Sequence, residues 1–476
     1  MSASRESGFA YQAVYRYLTQ LIDEPGNQGA IRLPSLRQLS ERLNVSISTI
    51  QYAYALLEKE GRVYSVAKSG YFAQATPSFM PPGGGNDLLE TVCVSARCNG
   101  MRVLSGDDPA AAQPLDSPLL MVERELLRQY PRYLQTAAQP CGELELRTLL
   151  AARYTASATH CWHPEDVYIG ADLRGVLEIL IAVLELRHAT VLIESPCDWA
   201  VLRLLQSFDV QVIELPLQPD GTFDTEQLET LLKIEPVRLI LLSSRLSMPH
   251  GSRFPQDNRH AVAQLLIGHG IWVLENDCHG ELLDDAGGQP LRELLDPDRL
   301  LVFSSFEKHI GVEAPYGFVL SRQWRNALQR HFLLRSFRLS PIRQKAIARL
   351  YASGRVDQHL VILKRLLRER RSQWVQLIRE RLGDVLDVVE PQGGATIWLQ
   401  SRHAVAMDAV FQRLLKQNVL IAPGELFSIQ GLHAQNLRLG VIGGDEEALL
   451  ILVGLLGDAL RLAPRTNSPK HSVCTG

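Results

Sequence analysis

The sequence predicts a multidomain chain, an N-terminal winged helix-turn-helix followed by an α/β body with a mainly parallel sheet and large and small subdomains. Three observations predict it. Apolar residues recur at helical spacing over the first 60 or so positions and then give way to two short strand-like pieces. A stretch dense in Pro and Gly follows. Beyond about residue 115, short apolar runs alternate with amphipathic helical segments, as parallel strands covered on both faces require. A length of 476 residues suits roughly three structural units.

In the first unit, placed at residues 8–75, Tyr11, Val14, Tyr15, Leu18, Leu21 and Ile22 form the stripe of one helix, closed by Pro25-Gly26. A second helix begins at Pro34-Ser35, with Leu36, Leu39 and Leu43 facing a core and Asn44 ending it. A third runs from Ser46 or Ser48, either of which can cap it, through Ile50, Tyr54 and Leu57 to Gly61. Residues 62–66 and 70–73 then read as strands joined by Ala67-Lys68-Ser69-Gly70. A linker is placed at 76–88, because Pro and Gly from Pro77 to Asn86 are too dense for a regular element.

The body is divided into a large domain at 89–340 and a long helix with a small domain at 341–465. Strands are expected at 167–169, 190–194, 210–215, 237–243, 271–275, 300–304 and 317–320, with helices at 173–186, 225–233 and 258–268 between them. One long basic helix is expected over 340–382, then a strand at 395–399 and a last helix at 446–462. The polar tail, 466–476, is expected to be disordered.

Composition sets further bounds. With 46% hydrophobic and 21% charged residues the chain is neither disordered, collagen-like nor coiled-coil throughout. A formal charge of −3 advertises no polyanionic partner, although residues 1–70 carry eight Lys and Arg against six Asp and Glu. No apolar stretch approaches the roughly 18 residues of a membrane span, and the N-terminus lacks a signal pattern, so a cytoplasmic protein is expected. Seven scattered cysteines suggest no disulfide framework. His160-Cys161-Trp162-His163 has no second cluster at metal spacing, so no metal is expected.

A recognition helix entering the major groove of double-stranded DNA needs short polar side chains near its N-terminus. Ser46, Ser48, Thr49 and Gln51 meet that demand. Arg32 and Arg37 flank the preceding helix, where guanidinium groups clamp phosphates, and Lys68 with Gly70 stands at the wing tip. The order Leu33-Pro34-Ser35-Leu36-Arg37-Gln38-Leu39-Ser40, then Val45 to Glu58, then Gly61 and Ser69-Gly70-Tyr71-Phe72 resembles the GntR-type winged helix. That resemblance assigns DNA contact to Arg32, Arg37, Ser46, Ser48, Thr49, Lys68 and Gly70. Ile47 departs from it, since many members carry Arg there.

From about residue 88 to 465 the chain resembles a fold-type I aminotransferase domain. The resemblance rests on Gln139-Pro140-Cys141-Gly142, Glu194-Ser195-Pro196, Glu275-Asn276-Asp277, Ser304 to Lys308, Ala422-Pro423-Gly424 and Leu437-Arg438-Leu439-Gly440, in that order. A GntR-type reader joined to such a body is the MocR arrangement of bacterial transcription regulators. It implies pyridoxal 5'-phosphate (PLP) as cofactor, a head-to-tail homodimer, and a small-molecule effector, either an amino acid or PLP itself.

Residue by residue, the resemblance implies Lys308 for the Schiff base, Ser305 as a phosphate donor, Trp199 stacked on the ring and Arg438 for an effector carboxylate. Other positions are worn. Asn276 stands where a carboxylate would keep the pyridine nitrogen protonated, and Asp277 replaces it only if the strand register slips by one. His279 replaces a Tyr, Met248 an Asn, and Pro315 the Arg that clamps the phosphate. Losing that charge-assisted clamp costs about 1.5–3 kcal/mol, and Glu307 adds a negative charge nearby. The implied function is a DNA-binding regulator whose body senses an effector, with PLP bound weakly or not at all and negligible transamination. A working PLP transaminase with an accessory DNA-binding segment is the alternative, against which Asn276 and Pro315 both speak.

Overall fold

The computed structural model describes residues 3–23, 32–66, 69–73, 87–129, 139–243, 245–285, 288–336, 339–441, 443 and 446–465. The expected linker up to residue 86, the tail at 466–476, Pro25-Gly26 and Lys68 lie outside them. The chain divides into two compact units, one of Met1–Val103 with Leu415–Leu420, the other of Leu104–Leu414 with Ile421–Gly476.

In the first unit, α1 (Ala3–Asp23), α2 (Leu36–Leu43) and α3 (Ile47–Lys59) precede an antiparallel hairpin of β1 (Val63–Val66) and β2 (Gly70–Ala73). The apolar stripes meet in one core that includes Val14, Leu18, Leu39, Ile50, Tyr54, Leu57 and Val63. Local chemistry sets the helix ends. Ser35 and Gln38 close a reciprocal capping box at the start of α2, and Asn44 ends it in the left-handed conformation at φ 51°. Leu43, expected in the core, is 37% exposed. It closes the last turn of an eight-residue helix, and the reversal at Asn44 leaves that turn at the edge of the packing. Beyond the hairpin the unit contains the helix Leu88–Ser95 and a parallel pairing of Arg102–Val103 with Val419–Leu420.

The second unit is built on seven strands: β3 (Val167–Gly170), β4 (Thr190–Ser195), β5 (Gln211–Pro216), β6 (Val237–Ser243), β7 (Trp272–Asn276), β8 (Leu300–Ser305) and β9 (Gly317–Ser321). They lie in the order β3-β9-β8-β7-β6-β4-β5, parallel except that β9 runs against both neighbours. Each of the seven expected runs is a strand of this one sheet. The helices Leu173–Val183 and Trp199–Ser207 cover the face presented by Leu239, Leu241, Leu274, Leu301 and Phe303.

The expected single basic helix is two helices, Pro341–Ala352 and Arg355–Leu382. Gly354 stands between them at φ 71°, a conformation no right-handed helix accommodates. Apolar periodicity persists on both sides of the break, so pattern alone could not reveal it. A four-stranded antiparallel sheet follows, in which Leu386–Val388, Thr396–Ser401, Asn436–Gly440 and Ala422–Pro423 are successive neighbours. Glu446–Arg461 packs on the long helix. Buried Arg371 ties that helix to Asp284 through hydrogen bonds of 2.7 and 2.6 Å.

Candidate functional site

In the first unit, Ser46 is the N-cap of α3. Its Oγ accepts from the Thr49 N–H at 3.2 Å and lies 2.9 Å from Ser48 Oγ and 2.7 Å from Thr49 Oγ1. Two of the expected DNA-contacting residues, Ser46 and Thr49, are thus engaged in starting the helix. Ser48 and Gln51 are exposed, together with Ile47 and with Tyr52 at 54% exposure. Positions 47, 48, 51 and 52 are spaced as one helical stripe opposite the buried Ile50, Ala53, Tyr54 and Leu57. Tyr52 was not singled out from the sequence. Its spacing from Ser48 was the available signal, but an aromatic four residues on reads equally well as core. Inside, the Tyr54 hydroxyl donates to Pro34 O at 2.7 Å and ties α3 to the start of α2.

Arg32 does not simply flank α2. It bridges Phe72 of β2, and Leu33 N donates to Tyr71 O at 2.8 Å. A Cβ on Gly70 would stand 3.9 Å from Arg32 Nε, so Arg32 and the wing-tip glycine are neighbours. Arg37 is exposed on α2. Gly70, at φ 103°, takes a backbone conformation that other residues avoid.

In the second unit, the carboxyl ends of β3, β4, β6, β7 and β8 (Gly170, Ser195, Ser243, Asn276 and Ser305) lie along one edge of the sheet, where α/β folds hold ligands. The register sets Ser305 beside Gly317 and Gly317 beside Gly170. The short turn Glu307–Ile310 then carries Lys308.

Lys308 does not stand free. Its ammonium donates to the backbone carbonyl of Asp107 and lies 3.4 Å from Asp107 Oδ2. His279 Nε2 reaches the same carboxylate oxygen at 3.1 Å. Arg438 donates to Ser105 O, and Gly440 N to Leu104 O at 2.7 Å. Residues 104–107 thus form a strap that engages three of the side chains assigned to cofactor or effector. Burial alone would raise the Asp107 carboxyl, but Lys308, His279 and Arg438 around it hold it well below the usual carboxylate range. Burial would lower the Lys308 ammonium, yet Asp107 and Asp198 turn the balance and raise it.

Sequence reasoning missed Asp107. Ser105-Gly106-Asp107-Asp108-Pro109 reads as a turn, and Asp108 does cap one by accepting from Ala111 N at 3.2 Å. Nothing local distinguishes the second acid.

The other expected residues have partners of their own. Asn276 Oδ1 accepts from Cys278 N at 3.1 Å. Asp277, the possible substitute carboxylate, accepts instead from Tyr154 OH at 2.8 Å and pairs with Arg292 at 3.1 Å, so it does not join Lys308 and Asp107. Trp199 lies 5.5 Å from Phe427 in a stacked arrangement, with the Arg438 guanidinium 4.7 Å from its ring centre. Its ring thus packs with Phe427 and Arg438. Ser305 Oγ accepts from Glu307 N at 3.2 Å.

Dianionic phosphate does not fit these residues. Pro315 offers no charge, Glu307 is exposed beside Lys308, and the helix beginning at Leu173 is already capped by the Asp172 carboxylate, which accepts from Gly175 N at 2.7 Å. Asp172 follows directly on Gly170 and Ala171, at the edge that Ser305 and Gly317 share. Lys308 and Arg438 keep the residue types the cofactor and a carboxylate require, but the phosphate end is anionic already. Among the described residues no group of three or more His, Cys, Asp or Glu could hold a metal ion, and no helix is long and apolar enough to cross a membrane.

Comparison with known proteins follows this division. Residues 10–72 match the family of bacterial regulatory proteins of the gntR type. The chain is 27% identical to the uncharacterized HTH-type transcriptional regulator YjiR of Escherichia coli (strain K12), over 89% of this chain and 94% of that one. It is 24% identical to the probable rhizopine catabolism regulatory protein MocR of Rhizobium meliloti, over 88% and 87%. Among solved structures, LysN, the alpha-aminoadipate aminotransferase of Thermus thermophilus, superposes with a TM-score of 0.71 at 21% identity, covering 79% of this chain and 95% of that one. Residues 10–72 form a GntR-type helix-turn-helix domain, and the body has the aminotransferase fold.

Proposed function

We propose that this chain, a GntR-type reader joined to a fold-type I aminotransferase body as in MocR-type regulators, is a cytoplasmic transcription regulator whose body senses a small molecule. One observation carries the reading. The stripe of α3 is exposed, as is Arg37 on α2, whereas the amine on which transamination would depend is paired with Asp107. Binding DNA needs only the first arrangement; catalysis needs the second undone.

In this reading Arg32, Arg37 and Lys68 hold phosphates, Ser48, Gln51 and Tyr52 face base edges, and Gly70 lets the wing approach the backbone. Arg438 takes the carboxylate of an amino-acid effector, PLP is bound weakly or not at all through Lys308, and transamination is negligible. A head-to-tail homodimer presents two readers to two half-sites. The effector acts by binding one state of the body better than another. The domain limits at 75, 88, 340 and 465 are part of the proposal.

Two measurements test it. Arg37→Ala combined with Gln51→Ala should abolish retention of a duplex carrying the protein's own promoter region in a gel-shift assay; unchanged retention refutes the interface. Wild-type protein titrated with PLP should develop at most a weak visible band, absent in Lys308→Ala. A stoichiometric band with rapid conversion of amino acid to keto acid would establish the transaminase instead.

A further inference from the structure

Asp107 lies where neither its own turn nor the sheet edge requires a charge. Asp108 already caps the turn at Pro109–Ala112, and the strap is held at Leu104 and Ser105 by Gly440 and Arg438 through backbone carbonyls alone. The Asp107 side chain, only 6% exposed, is nevertheless turned to Lys308 and His279. One carboxylate oxygen meets both Lys308 Nζ and His279 Nε2, and the other, Oδ1, is buried without a hydrogen bond. A buried carboxylate half unsatisfied is costly unless the charges around it repay the burial. Lys308 and His279 do so here, and Arg438 and Asp198 complete the charged surroundings.

We propose that Asp107 is an internal counter-ion that holds Lys308 as an unreactive ammonium and so keeps aldehyde cofactors off the amine. An amine condenses with an aldehyde only after losing its proton. Its lone pair then forms the bond to the carbonyl carbon, and the carbonyl oxygen departs as water. Pairing with Asp107 opposes the first step. Nζ also donates to the Asp107 backbone carbonyl, a contact that substitution of the side chain leaves in place. Without Asp107, burial and the positive charge of Arg438 favour the neutral amine, against Asp198 and, more weakly, Cys278. This inference rests on the proposed weakness of PLP binding, and it gives that weakness a cause separate from the missing phosphate clamp at Pro315.

The test separates the two causes by using two aldehydes, PLP and pyridoxal, which lacks the phosphate. Wild type, Asp107→Asn, Asp107→Ala and Asp107→Ala/Lys308→Ala in the full chain are incubated with each, reduced with borohydride, and read by intact mass and peptide mapping. Circular dichroism and thermal melting of each variant check that the body still folds. Each unit by which the Lys308 pKa falls raises its neutral fraction about tenfold near neutral pH. The expected result is therefore at least about tenfold more modification at Lys308 in Asp107→Ala than in wild type, with pyridoxal as well as PLP. The double variant should show none at that position, and Asp107→Asn should resemble Asp107→Ala. Equal modification in wild type and both single variants overturns the role of Asp107. If that equal level is low, weak PLP binding still stands; if it is stoichiometric in wild type, the weak-binding reading falls too.

Discussion

Ser46 offers a clean separation of folding from recognition at the DNA-binding helix. Its Oγ accepts the Thr49 N–H and lies within hydrogen-bond distance of two further hydroxyls, so its first duty is to satisfy the start of α3. Replacing such a cap by Ala costs about 1 kcal/mol, whereas Asp is as good a cap as Ser. A loss of that size multiplies local opening about fivefold. Ser46→Ala should therefore exchange the amide protons of Thr49 and Ile50 about fivefold faster than wild type, and Ser46→Asp should leave them unchanged. DNA binding should reverse the order. Ser46→Ala should lose no more than about fivefold in affinity, while Ser46→Asp, holding the helix but facing phosphate with a negative charge, should lose far more. Hydrogen exchange read by mass spectrometry, beside fluorescence anisotropy on one duplex, measures both. Unchanged exchange in Ser46→Ala with a collapse of its DNA affinity would refute the capping role and make Ser46 a direct contact.

Other outcomes follow from charges on the two units. If Arg32 and Arg37 each neutralise one phosphate, each Ala substitution should reduce the slope of log affinity against log salt by about 0.9, and the double variant by about 1.8; anisotropy across a salt series would show an unaltered slope if either arginine merely decorates the surface. Buried Glu194, which accepts from Ser243 N at 2.9 Å, has its carboxyl pushed up by burial to about 7 from an ordinary 4.5. The folded state therefore holds its proton more tightly, so this stabilisation is present below about pH 4.5 and is lost as pH rises to about 7, a change of about 3 kcal/mol by linkage. Burial lowers His250 and His433 to about 4, so their contribution has the opposite sign and is lost as pH falls from 6.5 to about 4. The two histidines together outweigh Glu194, so wild-type stability rises with pH over that range and Glu194→Gln should steepen the rise; a melting-temperature profile parallel to wild type would contradict the assignment.

How much of this was legible depended on whether the determining chemistry was local. The seven strands could be read because each is apolar enough to be buried on both faces, and β6 falls on the residues expected. The caps at Ser35, Asn44 and Ser46 could be read because a cap is one residue beside the helix it serves. The break at Gly354 was obscured because a glycine within helical periodicity does not disclose its φ. Asp107 was invisible for a stronger reason. Its partners, His279 and Lys308, are 172 and 201 residues away, and only the sheet edge brings them to the strap.

That same separation lets a body keep this fold while the residues at its sheet edge change. The sheet is specified by apolar runs within β3 to β9, whereas Asn276, Ser305 and Lys308 stand at or just past the strand ends, where a change of charge disturbs no core packing. Pro315 and Asp172 likewise occupy connections between elements. Each can vary at little cost to folding, yet together they decide whether a dianionic phosphate and a neutral amine can coexist at the edge. Asp107 extends the reasoning from loss to gain, because a buried carboxylate is costly to install and persists only where neighbouring cations repay it. An edge without a phosphate clamp but still bearing Lys308 and Arg438 supplies those cations, with His279 as a further hydrogen-bond partner. The counter-ion and the worn cofactor site are consequences of one electrostatic balance, which is why removing Asp107 should free Lys308 without restoring the grip on phosphate.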